Sequence, residues 1–289
     1  MSDIYRLPET TRLGPVRLRI ADLERSAAFY QQVLGLRVVQ RDATRATLVA
    51  QGGDRALVEL HQHPGARPAR HQGRLGLYHF AILLPERAAL GRFLGHLMDL
   101  GVAPGAADHL VSEALYLYDP DGLGIEVYAD RPRAAWRRVG GELMMSTDPL
   151  DMDDLLRAAA GAPWSGMPPG TVMGHVHLQV GDLDAASAFF SGALGFDRTV
   201  WSYPGALFLS AGGYHHHLGA NTWAGSRATP PAGDEAQLLE WTLELPDTAA
   251  VAAAAASLSA GGYSAEPGDG GDLLVRDPWG TPLRLRAAR

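Results

Sequence analysis

The chain repeats itself without a gap. Pro15–Leu36, PVRLRIADLERSAAFYQQVLGL, returns as His175–Phe196, HVHLQVGDLDAASAFFSGALGF. Asp22 aligns with Asp182, Phe29 with Phe189, Leu34-Gly35 with Leu194-Gly195, and the same offset places Gly52-Gly53 on Gly212-Gly213. A repeat this long fixes the architecture before any motif is read. Each half holds a second, fainter unit. These begin at LYHFAILLP, Leu77–Pro85, and LLEWTLELP, Leu238–Pro246, and end in YDPDGLGIEVY and RDPWGTPLRLR. In both endings Asp-Pro-x-Gly supplies turn chemistry ahead of a strand.

Within a unit the pattern reads strand, helix, strands. VRLRI alternates as a half-buried strand does. Asp22 is placed to cap a helix whose apolar positions Leu23, Ala27, Phe29, Tyr30, Val33 and Leu34 fall broadly on one side, and Gly35 stops it. VVQRD, RATLVA and ALVEL come next as short β-prone runs between polar and glycine turns. The expected fold is therefore α+β: four βαβββ units in two repeated halves, residues 1–131 and 170–289, forming cupped mixed sheets. The stretch 132–169 fits neither pattern and reads as a linker with a short helix that packs across the halves.

Composition narrows the chemistry. With 289 residues, 46% hydrophobic and 20% charged, the chain can bury a large core. No apolar run is long enough for a bilayer, and the start MSDIYRLPETTRLG lacks the basic and apolar segments of a secretory signal, so no membrane partner and a cytoplasmic location are expected. A net charge of -7 makes nucleic acid a poor partner. Without cysteine, thiolate metal sites and thiol nucleophiles are excluded. Any metal must be held by histidine and carboxylate.

The layout, with its D-L-x-x-S-x-x-F-Y-x-x-x-L-G-L phrase, resembles the vicinal-oxygen-chelate superfamily of glyoxalases, bleomycin resistance proteins and extradiol dioxygenases. The second unit adds His109, Leu115-Tyr116, Asp119-Pro120-Asp121-Gly122 and Glu126 at the spacing of the extradiol ring-cleavage signature, departing at Ala107. That resemblance implies an extradiol dioxygenase that opens a small catechol-like aromatic diol with O2, using Fe(II), or Mn(II), held by two histidines and one carboxylate. It implies Glu126 as the carboxylate and His79 as one imidazole. The matching position is Pro15 in the first unit, which cannot bind a metal, and His175 in the third. Units two and three are thus expected to share the site, with His79, Glu126 and His175 as ligands and His177 as the rival to His175. Units one and four, offering Pro15, Glu240 and Arg284, are expected to form an empty counterpart.

The same resemblance implies His109 as a proton donor to the reacting oxygen and Tyr116 as a hydrogen-bonding partner. One of His215, His216 and His217 is implied as acceptor of a substrate proton. Alignment of the residues C-terminal to the histidine favours His216, and strand alternation leaves His215 and His217 open. Trp201, Tyr203 and Trp223 are candidate walls of an aromatic pocket; His61, His63 and His71 read as loop residues. A homo-oligomer is expected. Two other functions fit the fold: a glyoxalase-like isomerase, for which Glu59 offers a second carboxylate, and a metabolite-binding resistance protein that turns nothing over.

Overall fold

The protein, a computed structural model, is described over residues 5–288. Unit one comprises β1 (Arg12–Ile20), α1 (Leu23–Gln32), β2 (Arg37–Arg41), β3 (Arg45–Val49) and β4 (Ala56–Gln62); unit two comprises β5 (Gly76–Leu84), α2 (Arg87–Asp99), β6 (Gly105–Asp108), β7 (Ser112–Tyr118) and β8 (Gly124–Asp130). The connecting stretch carries β9 (Arg138–Val139), β10 (Glu142–Leu143) and α3 (Met152–Ala158). Unit three comprises β11 (Val172–Gln179), α4 (Leu183–Ala186), β12 (Asp197–Val200), β13 (Ala206–Ser210) and β14 (Leu218–Asn221); unit four comprises β15 (Gln237–Leu245), α5 (Thr248–Ala260), β16 (Ala265–Pro267), β17 (Leu273–Arg276) and β18 (Pro282–Ala287).

Three helices start as their sequence dictates. Asp22, Asp182 and Asp247 sit in extended backbone and accept from the N–H groups of Arg25, Ala185 and Ala250, so one orphan donor of each first turn is satisfied. Gly35 ends the first helix with φ +74°, and a β-carbon there would lie 2.5 Å from Gly166 Cα. The third unit's helix widens into π-helical turns over Ser187–Ala193, although its sequence aligns with α1 without a gap; nothing in the structure explains the difference. The aspartates of the Asp-Pro-x-Gly turns accept backbone hydrogen bonds across the turn, Asp119 from Asp121 and Leu123, Asp277 from Trp279 and Thr281. Each turn launches the last strand of its unit.

The strands form two eight-stranded mixed sheets, and the units pair out of chain order. One sheet runs β16-β17-β18-β15-β1-β4-β3-β2, joining units four and one; the other runs β12-β13-β14-β11-β5-β8-β7-β6, joining units three and two. At the centre of the second sheet β5 lies antiparallel to β11 and parallel to β8. Apolar faces of both sheets and their helices share one core, with Trp241, Tyr30, Phe80, Phe93, Phe189 and Phe190 among its largest fully buried side chains. Among the described residues no helix is long and apolar enough to cross a membrane.

Candidate metal centre and active site

Strand register brings the signature residues together. Ala81 on β5 is paired with Glu126 on β8 and with His175 on β11. Glu126 is in turn paired with Tyr116 on β7. His79 lies two residues from Ala81 and so shares its face of the sheet. The small Ala81 side chain leaves the space above it to its neighbours. His79 Nε2 is 3.0 Å from Glu126 Oε2, His175 Nε2 is 3.3 Å from the same oxygen, and the two imidazole nitrogens are 3.3 Å apart.

All three side chains are buried, with ligand atoms within 4.8 Å of one another. Two imidazole nitrogens and a carboxylate oxygen crowded into one dry spot need a shared proton or a cation between them. The set of two imidazoles and one carboxylate fits a divalent metal held on one face. The electrostatics agree. Burial pushes the His175 pKa down to about 4, so its imidazole is neutral at pH 7. Burial alone would raise Glu126, but His175 and His79 outweigh it and hold the carboxyl well below the usual range.

His177, the rival, is paired with His79 across β11 and β5 but does not join the convergent group. Its Nε2 is buried without a partner, and burial pushes its pKa down. Gly219 makes room for this ring: a β-carbon there would stand 2.8 Å from it.

The triad forms the floor of a cavity of about 360 Å³. His109, in the β6–β7 turn, reaches its wall, and Leu110 beside it takes φ +67°, a conformation that a leucine adopts only when the fold holds it. Nδ1 of His109 is 2.6 Å from the Ser146 carbonyl, and Nε2 is 2.6 Å from the Tyr116 hydroxyl. The carbonyl can only accept, so Nδ1 carries the proton and Nε2 accepts from Tyr116. Burial, then the nearby Glu126 charge, pushes the Tyr116 pKa well up and keeps its hydroxyl protonated.

The three consecutive histidines separate by role. His216 lines the cavity, its ring centroid 4.1 Å from that of His175. His215 lies behind it, Nδ1 2.7 Å from His216 Nδ1 and Nε2 2.9 Å from Asp130. His217 turns away, its Nδ1 accepting from the Ala211 N–H beside Ser210. Since the Asp130 carboxylate must accept, His215 Nδ1 is an acceptor, His216 Nδ1 donates to it, and His216 Nε2 is left with a lone pair.

Tyr203 and Trp223 line the cavity as aromatic walls with Phe208 and Tyr78, and among the described residues no Arg lines it. Trp201 is 45% exposed and does not line it. His61, read as a loop residue, lies in β4 beside Glu59; the strand extends past the apolar run because it pairs with β1 and β3. Sequence reasoning missed Asp130, Phe208 and the connecting residues Met145, Ser146 and Thr147. Asp130 ends the same strand as Glu126, a position two alternations away that could have flagged it.

The other sheet holds the counterpart face, and there the acids are taken. Arg284 makes two hydrogen bonds to Glu240, at 2.6 and 2.9 Å, and Arg17 binds Glu59 at 3.0 Å. Pro15 offers no ligand. Glu59, the carboxylate available to a glyoxalase-like site, lies in this sheet of units four and one, away from the triad.

Comparison with known proteins places these features. The profile of the Glyoxalase/Bleomycin resistance protein/Dioxygenase superfamily matches residues 12–127 and 172–285. A Bacillus subtilis (strain 168) protein named Catechol-2,3-dioxygenase is 44% identical over 273 residues, 93% of this chain and 95% of that protein. A solved structure from Bacillus subtilis subsp. subtilis str. 168 with a provisional dioxygenase name superposes with TM-score 0.67 at 14% identity, over 98% of this chain and 86% of that one. Glyoxalase I from Zea mays superposes with TM-score 0.57 at 18% identity, over 96% of this chain and 92% of that one. At those identities the two structures speak for the fold alone.

Proposed function

The chain belongs to the Glyoxalase/Bleomycin resistance protein/Dioxygenase superfamily, and from that premise we propose that it is an extradiol dioxygenase opening a catechol-like ring with O2 at an Fe(II) site. The observation that carries this reading is the convergence of His79, His175 and Glu126 at the floor of a cavity walled by the His109–Tyr116 pair. The name of the 44% identical relative supports the same reaction class.

In this reading His79, His175 and Glu126 hold the metal. When bound, Fe(II) supplies Lewis acidity to the two diol oxygens and a route for electrons from the ring to O2, both atoms of which enter the product. The remaining steps belong to side chains. The cavity takes the ring between Phe208, Tyr203 and Trp223, and its apolar walls exclude water. His216 Nε2, its lone pair turned out by the His215–Asp130 chain, accepts a proton from a diol hydroxyl. The second diol proton passes to His109 Nε2, freeing the Tyr116 hydroxyl to donate to a substrate oxygen, and His109 Nε2 returns that proton to the reacting oxygen as the ring opens. Burial of His216, then its neighbouring histidines, pushes its pKa well down, so the free imidazole is neutral and its Nε2 lone pair is unprotonated.

Anaerobic loading with Fe(II), then an oxygen electrode and a panel of substituted catechols, tests the reading. The expected result is one O2 consumed per ring opened, with Mn(II) as the comparison metal. Oxygen uptake no faster than free Fe(II) across the whole panel overturns it.

A further inference from the structure

A second cavity lies on the seam between the two sheets. It has a volume of about 280 Å³ and is bounded by the segment before β1, the start of β11 and the β13–β14 turn. Its character is opposite to that of the cavity above the triad. Three arginines, Arg12, Arg55 and Arg133, line it against one carboxylate, the exposed Glu9. A nearby acid, Glu244, is already neutralised by Arg286, with contacts of 2.5 and 3.1 Å, and stands 3.5 Å from Arg55. Arg133 is fixed by stacking, its guanidinium 5.5 Å from the ring centroids of both Trp136 and Tyr214.

Two residues with neutral donors line the same space. Thr11 lines the cavity at 3% exposure, and its hydroxyl is buried without a partner. A buried hydroxyl left unpaired costs free energy that a ligand oxygen would recover. His217 also lines it. Its Nδ1 accepts the Ala211 N–H, so the ring's proton sits on Nε2, where it can be donated. Leu13, Leu83, Val172 and Met173 supply the apolar side. Excess cationic charge, two donors and a greasy wall in one small space recognise an anion carried on an apolar body.

We propose that this seam cavity is a second binding site, for a small organic carboxylate with an apolar body. Its carboxylate pairs with Arg133 and Arg55 and takes the Thr11 and His217 donors, while its body lies on the Leu83–Met173 wall. None of these residues lines the cavity above the triad.

The test is isothermal titration of the full-length, metal-loaded protein with sodium benzoate, and with benzamide as the neutral isostere. The exposed arginines are changed singly, Arg133→Gln and Arg55→Gln, with Thr11→Val as a third variant of nearly equal volume. Benzoate is expected to bind saturably, benzamide at least about tenfold more weakly, and each arginine variant to weaken benzoate by about tenfold. Equal affinity for benzamide, or unchanged benzoate affinity in both arginine variants, overturns the assignment. So does the absence of saturable benzoate binding. Because the variants leave the triad cavity intact, benzoate captured at the metal shows itself as binding that none of them weakens.

Discussion

Replacing Arg284 by methionine tests why one sheet carries a candidate metal centre and the other does not. The Arg284 side chain is 13% exposed and its partner Glu240 8%. The two share a bidentate contact, and Arg284 reaches Asp272 at 3.3 Å. Methionine keeps much of the stem but leaves Glu240 buried with only Arg17, 3.6 Å away, as a cation. Breaking a buried pair from one side costs about 3–5 kcal/mol, and the residual Arg17 attraction puts this case near about 3 kcal/mol. For chains near this size, about 2–4 °C per kcal/mol gives a fall in Tm of roughly 6–12 °C. The double variant Arg284→Met with Glu240→Leu removes the stranded charge as well and is expected to recover to within about 1 kcal/mol of the parent. Calorimetry on the three proteins, with metal analysis alongside, reads both effects. Metal stoichiometry stays unchanged in all three, because Pro15 cannot replace a ligand. A single variant melting within about 1 °C of the parent, or one that takes up a second equivalent of metal, refutes the reasoning.

The geometry yields three further expected outcomes. His109→Gln is expected to lower kcat by about 10²–10⁴-fold with bound metal unchanged, since His109 lies outside the triad; steady-state kinetics with metal analysis checks it. Gly174→Ala sets a β-carbon 1.9 Å from the Tyr128 hydroxyl, which Tyr214 holds at 2.7 Å, so overpacking by about 1–3 kcal/mol is expected in urea melts. His217, its pKa pushed down by burial to about 3, binds its proton more readily unfolded than folded. Its contribution is therefore complete above pH 6.5 and is lost as pH falls from there towards 3, by up to about 1.4 kcal/mol per pH unit. Between pH 7 and 5, His217→Asn should flatten the fall in stability by about 2 kcal/mol; an unchanged slope contradicts the assignment.

Much of the fold was legible because its signals are local and repeated. The Asp22 and Asp182 caps, the glycines that end the helices and the Asp-Pro-x-Gly turns each act within a few residues, so a single chain displays them. The pairing of units was legible for a different reason: Pro15 stands where His175 does, and a proline cannot serve as a ligand. What escaped depends on contacts between segments with no shared period. Met145, Ser146 and Thr147 lie in the connecting stretch that belongs to no repeat, yet the Ser146 carbonyl sets the tautomer of His109. Alternation could not rank His215, His216 and His217, because they occupy an irregular turn before β14 instead of a strand. Their separation comes from Asp130 on another unit, which draws His215 back.

The account rests on units two and three sharing one metal, and metal content reads this directly. Iron is measured in protein purified without oxygen and loaded with Fe(II), for the parent and for His79→Ala, His175→Ala and His177→Ala. The account predicts close to one iron per chain in the parent and in His177→Ala, and loss of nearly all iron in both His79→Ala and His175→Ala. Iron retained by a folded His175→Ala protein while His177→Ala loses it would contradict the shared site as drawn.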